Sequence, residues 1–489
     1  MFIGDLLIAH GLVTPADVAA ALDCQKTKGG RLGDVLIAMG RLRQDALDGV
    51  LQAAPSEPSS IADTGLQASD LLNLTIKAIY GGAGETASAI AEILKLPPRI
   101  VQLVLDQAQE RKLVEVLGAA GVRILSELRY ALTERGMLWA VDAIAQNQYA
   151  GPAPVPLAAY CERIRRQCIT NERVDRASIE QAFAGLAVAA SFIQQIGPAI
   201  NSGRSILLYG PPGNGKTTVA ERIGNVFKDV VYIPYCFEVE GQIVKVFDPS
   251  HHVALQPGQG HKGTAVRRED SDARWVPCRR PFIVAGGELT LEMLDLSFNP
   301  IAKFYEAPLH VKALGGIFLI DDFGRQIVKP ETLLNRWIVP LERRVDYLKL
   351  HTGKSFPLPF DELVVFSTNM SPQDLMDPAF LRRIPYKIQV GAPSVAEYRR
   401  IFAALSAASG LAASQETIDF VISSLRDRCG EPLASYQPKF IVDQIRAACK
   451  FAGIAPEFRP ELLTMALGNL SMVEQAAEEA APKARSLAA

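Results

Sequence analysis

Eight consecutive residues, Gly210-Pro211-Pro212-Gly213-Asn214-Gly215-Lys216-Thr217, set three glycines, an amine and a hydroxyl at the spacing G-x-x-x-x-G-K-T. Glycine lets a backbone take positive φ and come close to phosphate oxygens. The Lys216 amine suits terminal phosphates, and the Thr217 hydroxyl suits Mg²⁺, which prefers oxygen donors. The flanks agree with this chemistry. An apolar run, Ser205–Tyr209, precedes the loop, and Val219, Ala220, Ile223 and Val226 recur at helical spacing after it. Strand, glycine-rich turn and helix N-terminus is the order that wraps a pyrophosphate in backbone N–H groups. The expected cradle is Gly210 to Thr217 with Thr218.

A nucleotide hydrolase needs a second, acidic element, and Gly315-Gly316-Ile317-Phe318-Leu319-Ile320-Asp321-Asp322 has its form. A buried-strand run with acids at its end places them at the carboxyl edge of a parallel sheet, where ligands bind. Asp321 is expected to hold Mg²⁺ through water, beside the Thr217 hydroxyl, and Asp322 to orient the attacking water. The simpler alternative is a strand-end pair that caps the next turn.

The phosphate loop has the form found in AAA+ ATPases, and about residues 180–470 resemble that superfamily, with MoxR-like members the nearest in pattern. Leu363-Val364-Val365-Phe366-Ser367-Thr368-Asn369 resembles the sensor-1 strand, with Asn369 at its polar position. Asp377-Pro378-Ala379-Phe380-Leu381-Arg382-Arg383-Ile384 resembles the arginine-finger segment. Gln437-Pro438-Lys439-Phe440 stands where a sensor-2 arginine is usual. The resemblance implies ATP and Mg²⁺ as cofactors, a hexameric ring, and a site completed by Arg382 or Arg383 of a neighbouring subunit. Two departures limit it. Asp322 replaces the usual glutamate and is one methylene shorter, and Lys439 offers a point charge in place of a guanidinium fork. Slow turnover, or an ATP-bound switch, is the implication.

The interval from Lys216 to Asp321 is longer than such a module needs, so an insertion is expected. Within it Gln256-Pro257-Gly258-Gln259-Gly260-His261-Lys262-Gly263 reads as a polar tip that either contacts a client protein or is an exposed hairpin end. His251 and His252 have no partner ligands and imply no metal. Gly286-Gly287-Glu288-Leu289-Thr290 reads as the start of a helix.

The N-terminus carries a repeat. Phe2-Ile3-Gly4-Asp5-Leu6-Leu7-Ile8-Ala9-His10-Gly11 recurs as Arg31-Leu32-Gly33-Asp34-Val35-Leu36-Ile37-Ala38-Met39-Gly40. Each copy runs on into a second helix, which makes a tandem helical hairpin over residues 1–54. The pattern resembles the N-terminal domain of type II secretion and type IV pilus ATPases, which binds cyclic di-GMP. Gly4, Gly11, Leu22 and Gln25 match in the first copy, and Arg31, Leu32, Gly33, Gly40, Leu47 and Leu51 in the second. Phe2 and Ala54 replace an expected arginine and glutamine. Docking of a protein without the dinucleotide is the alternative.

After a polar linker, Pro55–Ser60, residues 67–148 read as three helices, two short strands and a helix, resembling a winged helix. This region has eight basic and nine acidic side chains. That balance disfavours DNA, which wants a basic stripe, and favours a protein-facing or intramolecular role. Tyr149–Tyr160, with Pro152, Pro154 and Pro156, reads as a stiff extended linker.

The fold expected is therefore α/β: a P-loop AAA+ core of parallel sheet and flanking helices over 181–395 and a helical lid over 396–472. A linker and helix (149–180), the winged helix and the all-α hairpin domain precede them, and a mobile tail (473–489) follows. The 489 residues are nearly balanced in charge, 51 basic against 53 acidic, which argues against a general polyanion binder. Seven cysteines lack C-x-x-C or zinc spacing. The N-terminus lacks the basic segment and long apolar core of a signal peptide, so none is expected, and no apolar run approaches ~18 residues. A cytoplasmic, oligomeric bacterial ATPase that remodels or gates a protein partner is expected, with a link to pilus or secretion assembly and no membrane insertion. The alternatives are an ATP-dependent DNA-binding regulator and a slow nucleotide-gated scaffold.

Overall fold

The computed structural model describes residues 7–8, 12–28, 32–52, 54–82, 84–119, 127–172, 174–186, 189–255, 271–376, 378–428 and 432–470. Gly4, Gly11, Arg31, Asp377 and the segments 256–270 and 473–489 lie outside them. The chain forms two compact units. One comprises Met1–Arg173, Phe227–Phe318 and Glu331–Leu363; the other comprises Val174–Val226, Leu319–Pro330 and Val364–Ala489.

The phosphate loop belongs to a five-stranded sheet. Numbered along the chain, its strands are β1 (Ile206–Tyr209), β2 (Phe282–Ala285), β3 (Ile317–Ile320), β4 (Leu363–Thr368) and β5 (Tyr386–Gln389). Their spatial order is β5-β1-β4-β3-β2. Both neighbours of β1 run parallel to it, and Thr368 and Gln389 each lie opposite Tyr209. Strands covered on both faces have no solvent side, so β1, β3 and β4 are apolar runs rather than alternating ones. Leu207, Phe318 and Val365 are completely buried. Helix α1 (Lys216–Gly224) follows the loop directly. After β5 come α2 (Val395–Ala408), α3 (Gln415–Arg428) and α4 (Gln437–Ala452), packed around Tyr398, Phe402, Val421, Leu425, Ile441 and Ile445. A capping box between Ser394 and Glu397 starts α2, satisfying amides that the first turn leaves open. The class is α/β, a parallel P-loop sheet with flanking helices.

In the other unit, helices Pro15–Lys28, Leu32–Ala38 and Gln44–Gln52 pack around Leu7, Val13, Leu36 and Leu47. Thr14 and Asp17 cap the first reciprocally: Asp17 N–H donates to Thr14 Oγ1 at 3.2 Å and Thr14 N–H to Asp17 Oδ2 at 3.0 Å. Next come helices Ala68–Tyr80, Ala87–Leu94 and Pro98–Glu110, the antiparallel pair Val114–Ala119 and Leu128–Leu132, and helix Glu134–Gln146. Cys236 and Ile243 complete the core of this module, and Phe304 packs against it. These three residues come from the interval after Lys216, which is β-rich. Ser297–Asn299, Phe304–Glu306, Gln242–Lys245, Cys236–Val239 and Val155–Pro156 form a second five-stranded sheet in that order.

Three segments differ from their sequence reading. The polar linker is packed: Ser56 bridges Ser271, Asp272 N–H donates to Pro55 O at 2.8 Å, and Arg99 donates to Pro58 O at 3.1 Å. The proline-rich segment pairs in parallel with Phe237–Glu238 and becomes helical at Leu157. Its prolines all precede the first helical turn, where a missing N–H costs nothing. Gly286–Thr290 starts no helix. Glu288 Oε1 accepts the Gly286 N–H at 2.8 Å and closes a turn, leaving a short 3₁₀ turn at Glu292–Leu294. One buried guanidinium ties these pieces together. Arg274, only 5% exposed in its side chain, pairs with Asp272 and donates to Thr64 O at 2.9 Å and Pro154 O at 3.1 Å.

Glu362, immediately before β4, is completely buried. Neither carboxyl oxygen has a hydrogen-bond partner among the described residues. Burial raises its pKa well above the ordinary carboxylate value; Arg344 opposes the shift, and Asp346 and Asp361 reinforce it. A folded-state pKa above the unfolded one means the folded chain holds the extra proton, so stability falls as pH climbs from the ordinary carboxylate pKa through the folded one. Glu362→Gln keeps the shape without the ionisation. It is expected to remove that slope and to exceed wild type in stability at the alkaline end, as read by urea unfolding over a pH series.

Candidate functional site

Three glycines give the loop its path. Gly210, Gly213 and Gly215 have φ of +146°, +74° and +82°, a region that disfavours side chains. A Cβ on Gly210 would also lie 2.3 Å from the Val390 carbonyl oxygen. No side chain caps the first turn of α1, so its leading amides are free to face a phosphate. Pro211, Pro212, Gly213 and Thr218 are exposed, while Asn214 and Lys216 are buried. Lys216 Nζ donates to Gly210 O at 3.0 Å and Pro211 O at 2.9 Å, folding the amine into the loop it would leave to reach a ligand. Burial lowers its pKa, with Asp322 and Asp321 acting in the opposite direction.

At the end of β3, Asp321 Oδ2 accepts the Thr217 hydroxyl at 2.8 Å. Two segments 104 residues apart thus bring a hydroxyl and a carboxylate to one point, a donor pair suited to Mg²⁺. Asp322 has φ +49°, an uncommon conformation for a residue with a side chain, of a kind that costs on the order of 1–3 kcal/mol. Several hydrogen bonds hold it there. Asp322 N–H donates to Asp321 Oδ1 at 3.1 Å, Arg325 N–H donates to Asp322 O at 2.9 Å, and Asn369 Nδ2 donates to Asp322 Oδ1 at 3.2 Å. Gln326 Nε2 donates to Asp321 O at 3.1 Å, and the Thr368 hydroxyl donates to Phe323 O at 2.7 Å.

The structure therefore brings Lys216, Thr217, Asp321, Asp322 and Asn369 to one sheet edge. Arg382 is exposed, and the Arg383 guanidinium lies 5.8 Å from the Phe380 ring centroid. Lys439 is exposed in the first turn of α4. Gln326 and Thr368 escaped the motif reading. Thr368 had a signal, a hydroxyl ending an otherwise apolar strand; Gln326 had none beyond its nearness to the acids.

The N-terminal candidates divide differently. Leu32, Gly33 and Leu47 are buried core, and a Cβ on Gly33 would lie 2.8 Å from Leu47 Cδ2, so this glycine sets the approach of two helices. Leu22 and Gly40 are exposed, Gln25 is half-buried, and Leu51 lies in the helix Gln44–Gln52.

Comparison with known proteins adds little beyond the geometry. Residues 394–469 match a family model described as a domain of unknown function (DUF8689). No curated protein matches the chain. Among solved structures, a RuvB variant from Thermotoga maritima is similar at 12% identity and TM-score 0.33, over 62% of this chain and 72% of that one. NtrX from Brucella abortus is similar at 15% identity and TM-score 0.37, over 69% and 67%.

Lys216→Ala removes the only cation inside the loop among the described residues. Affinity for fluorescently labelled Mg²⁺–ATP is expected to fall by at least about ten-fold, the worth of a charge-assisted hydrogen bond. Titration followed by anisotropy checks it.

Proposed function

We propose that this chain is an AAA+ ATPase of MoxR-like type that hydrolyses ATP at a subunit interface and uses the cycle to remodel or gate a protein partner. The 2.8 Å contact between Thr217 Oγ1 and Asp321 Oδ2 carries the nucleotide part of this reading, because the phosphate loop and the acidic strand end meet where a metal-bound phosphate would sit. Lys216 leaves the Gly210 and Pro211 carbonyls for the γ-phosphate, and the loop amides hold the β-phosphate. Thr217 and Asp321 would hold Mg²⁺, which would supply neutralisation of charge on the phosphate oxygens. Asp322, kept in place by Asn369, orients a water whose oxygen attacks the γ-phosphorus in line as the bond to the bridging oxygen breaks, giving ADP and phosphate. Arg382 is the better finger for a neighbouring subunit's site, since Arg383 lies over Phe380. Lys439 takes the sensor-2 position.

The first 54 residues and the module at 67–148 act as input domains. Binding of cyclic di-GMP by the tandem hairpins, and service in pilus or secretion assembly, rest on the sequence pattern alone. The DNA-binding reading loses ground at the helix Pro98–Glu110. Arg99 is engaged by Pro58 O, with Glu57 at 3.6 Å, and the exposed Arg111 and Lys112 stand beside exposed Asp106 and Glu110, a mixed surface and not a basic stripe.

Steady-state ATPase with and without cyclic di-GMP tests the proposal. Asp322→Asn is expected to lower kcat about 10²-fold, with KM within about three-fold, because it removes the group that orients water and leaves ground-state binding intact. Turnover unaffected by this change would remove Asp322 from the reaction. Turnover that responds to the dinucleotide would support control through the N-terminus, and indifference would make the hairpins a docking domain.

A further inference from the structure

The turn that opens α4 sits on the phosphate loop. Tyr436 N–H donates to Gly213 O at 2.9 Å, and Ser435 N–H donates to Asn214 Oδ1 at 3.2 Å. Asn214 Nδ2 in turn donates to Pro211 O at 3.4 Å, so one asparagine links the lid turn to both arms of the loop. The Tyr436 ring flanks Gly213 so closely that a Cβ there would lie 2.3 Å from the ring's Cδ1. Gly213 is thus fixed twice, by its φ of +74° and by an aromatic ring that leaves no room for a side chain. The turn is itself rigid: Gln437, completely buried, accepts the Ala434 N–H at 2.9 Å and donates to Pro432 O at 3.3 Å. Behind it, Ile441, Val442 and Ile445 anchor α4 in the lid core. A shift of α4 therefore pulls on Gly213, and a change in the loop pushes on α4.

We infer that Tyr436 is a positioning residue that couples the helical lid to the phosphate loop, so that nucleotide affinity and lid order rise and fall together. The inference rests on the nucleotide reading above and deepens it. A loop pre-set from outside loses less conformational freedom on binding, which strengthens affinity without a new ligand contact. A ligand that prefers one loop geometry then shifts the lid population through the same contact.

The test uses the full-length chain, labelled ATP with Mg²⁺, and hydrogen exchange of the amides at 432–452. Tyr436→Ala removes the ring and keeps the backbone donor. It is expected to weaken ATP binding about ten-fold and to abolish ATP-dependent protection of 432–452, while saturating ATP still protects 213–217. Tyr436→Phe keeps the ring contact and should restore both readings to within about three-fold of wild type, since only the hydroxyl is lost. Phe451→Ser, on a side chain 96% exposed at the far end of α4, controls for general effects on the lid and should match wild type. Tyr436→Ala that binds within two-fold of wild type with lid protection intact overturns the coupling and leaves the ATPase proposal standing. Wild type that binds no nucleotide overturns both.

Discussion

Strand β1 is hydrogen-bonded in parallel on both flanks, and this pairing fixes where the phosphate loop and Asn369 can be. With Thr368 and Gln389 both opposite Tyr209, the ends of β4, β1 and β5 lie at one edge, and the chain must leave each strand there. The phosphate loop leaves β1, Asn369 follows β4, and the two acids follow β3. Parallel strands in a sheet covered by helices collect their connections at the carboxyl edge in this way, so the site follows from topology as much as from side-chain chemistry. Burial on both faces is the condition. A polar residue in the middle of Ile206–Tyr209 would have no solvent to face, and the register that brings Thr217 to Asp321 would lose its base.

Within that frame the site is held mostly by backbone polar groups. Asp322 keeps a left-handed φ because its neighbours' N–H groups, Gln326 and Asn369 occupy the donors and acceptors around it. Strain of this kind persists only where the surroundings over-determine the conformation. Asn369 holds the Asp322 carboxylate, while the turn itself is held separately by Gln326 and Thr368. An aspartate, one methylene shorter than glutamate, makes that arrangement more sensitive to where β3 ends.

The parts of the molecule legible in the sequence are those whose physics is local. Three glycines with a lysine and a hydroxyl, or an apolar run ending in two acids, declare their chemistry within eight residues, because φ, burial and charge are set by neighbours in the chain. Gln326 and Tyr436 declare nothing, since what they do depends on a carbonyl supplied by a turn or by a loop more than 200 residues away. The linker at Pro55–Ser60 misled for the same reason. Its composition is that of an exposed connector, and residues far along the chain give its backbone partners: Ser271 bridges Ser56, Asp272 N–H donates to Pro55 O, and Arg99 donates to Pro58 O. The repeat at the N-terminus shows a further limit. Leu32, Gly33 and Leu47 fit a ligand-binding pattern and a packing pattern equally, and their place in the core shows that the packing role alone suffices to require them.

The module at 68–146 bears on how an input signal could travel. Its core is completed by Cys236 and Ile243 and flanked by Phe304, all from the β-rich interval after Lys216, and Lys303 Nζ donates to the Ala145 carbonyl. A module joined only by flexible linkers can pivot freely, and its motion carries little force. This one cannot pivot without uncovering apolar side chains and straining the bonds that the buried Arg274 donates to Thr64 O and Pro154 O, just outside its two ends. A ligand or partner acting on the module would therefore act on the β-rich interval as one packed body, through contacts with two discrete arrangements or none. The packed linkers, Pro55–Ser60 and Pro152–Pro156, add to that stiffness, so a force on the module would reach the β-rich interval within this unit.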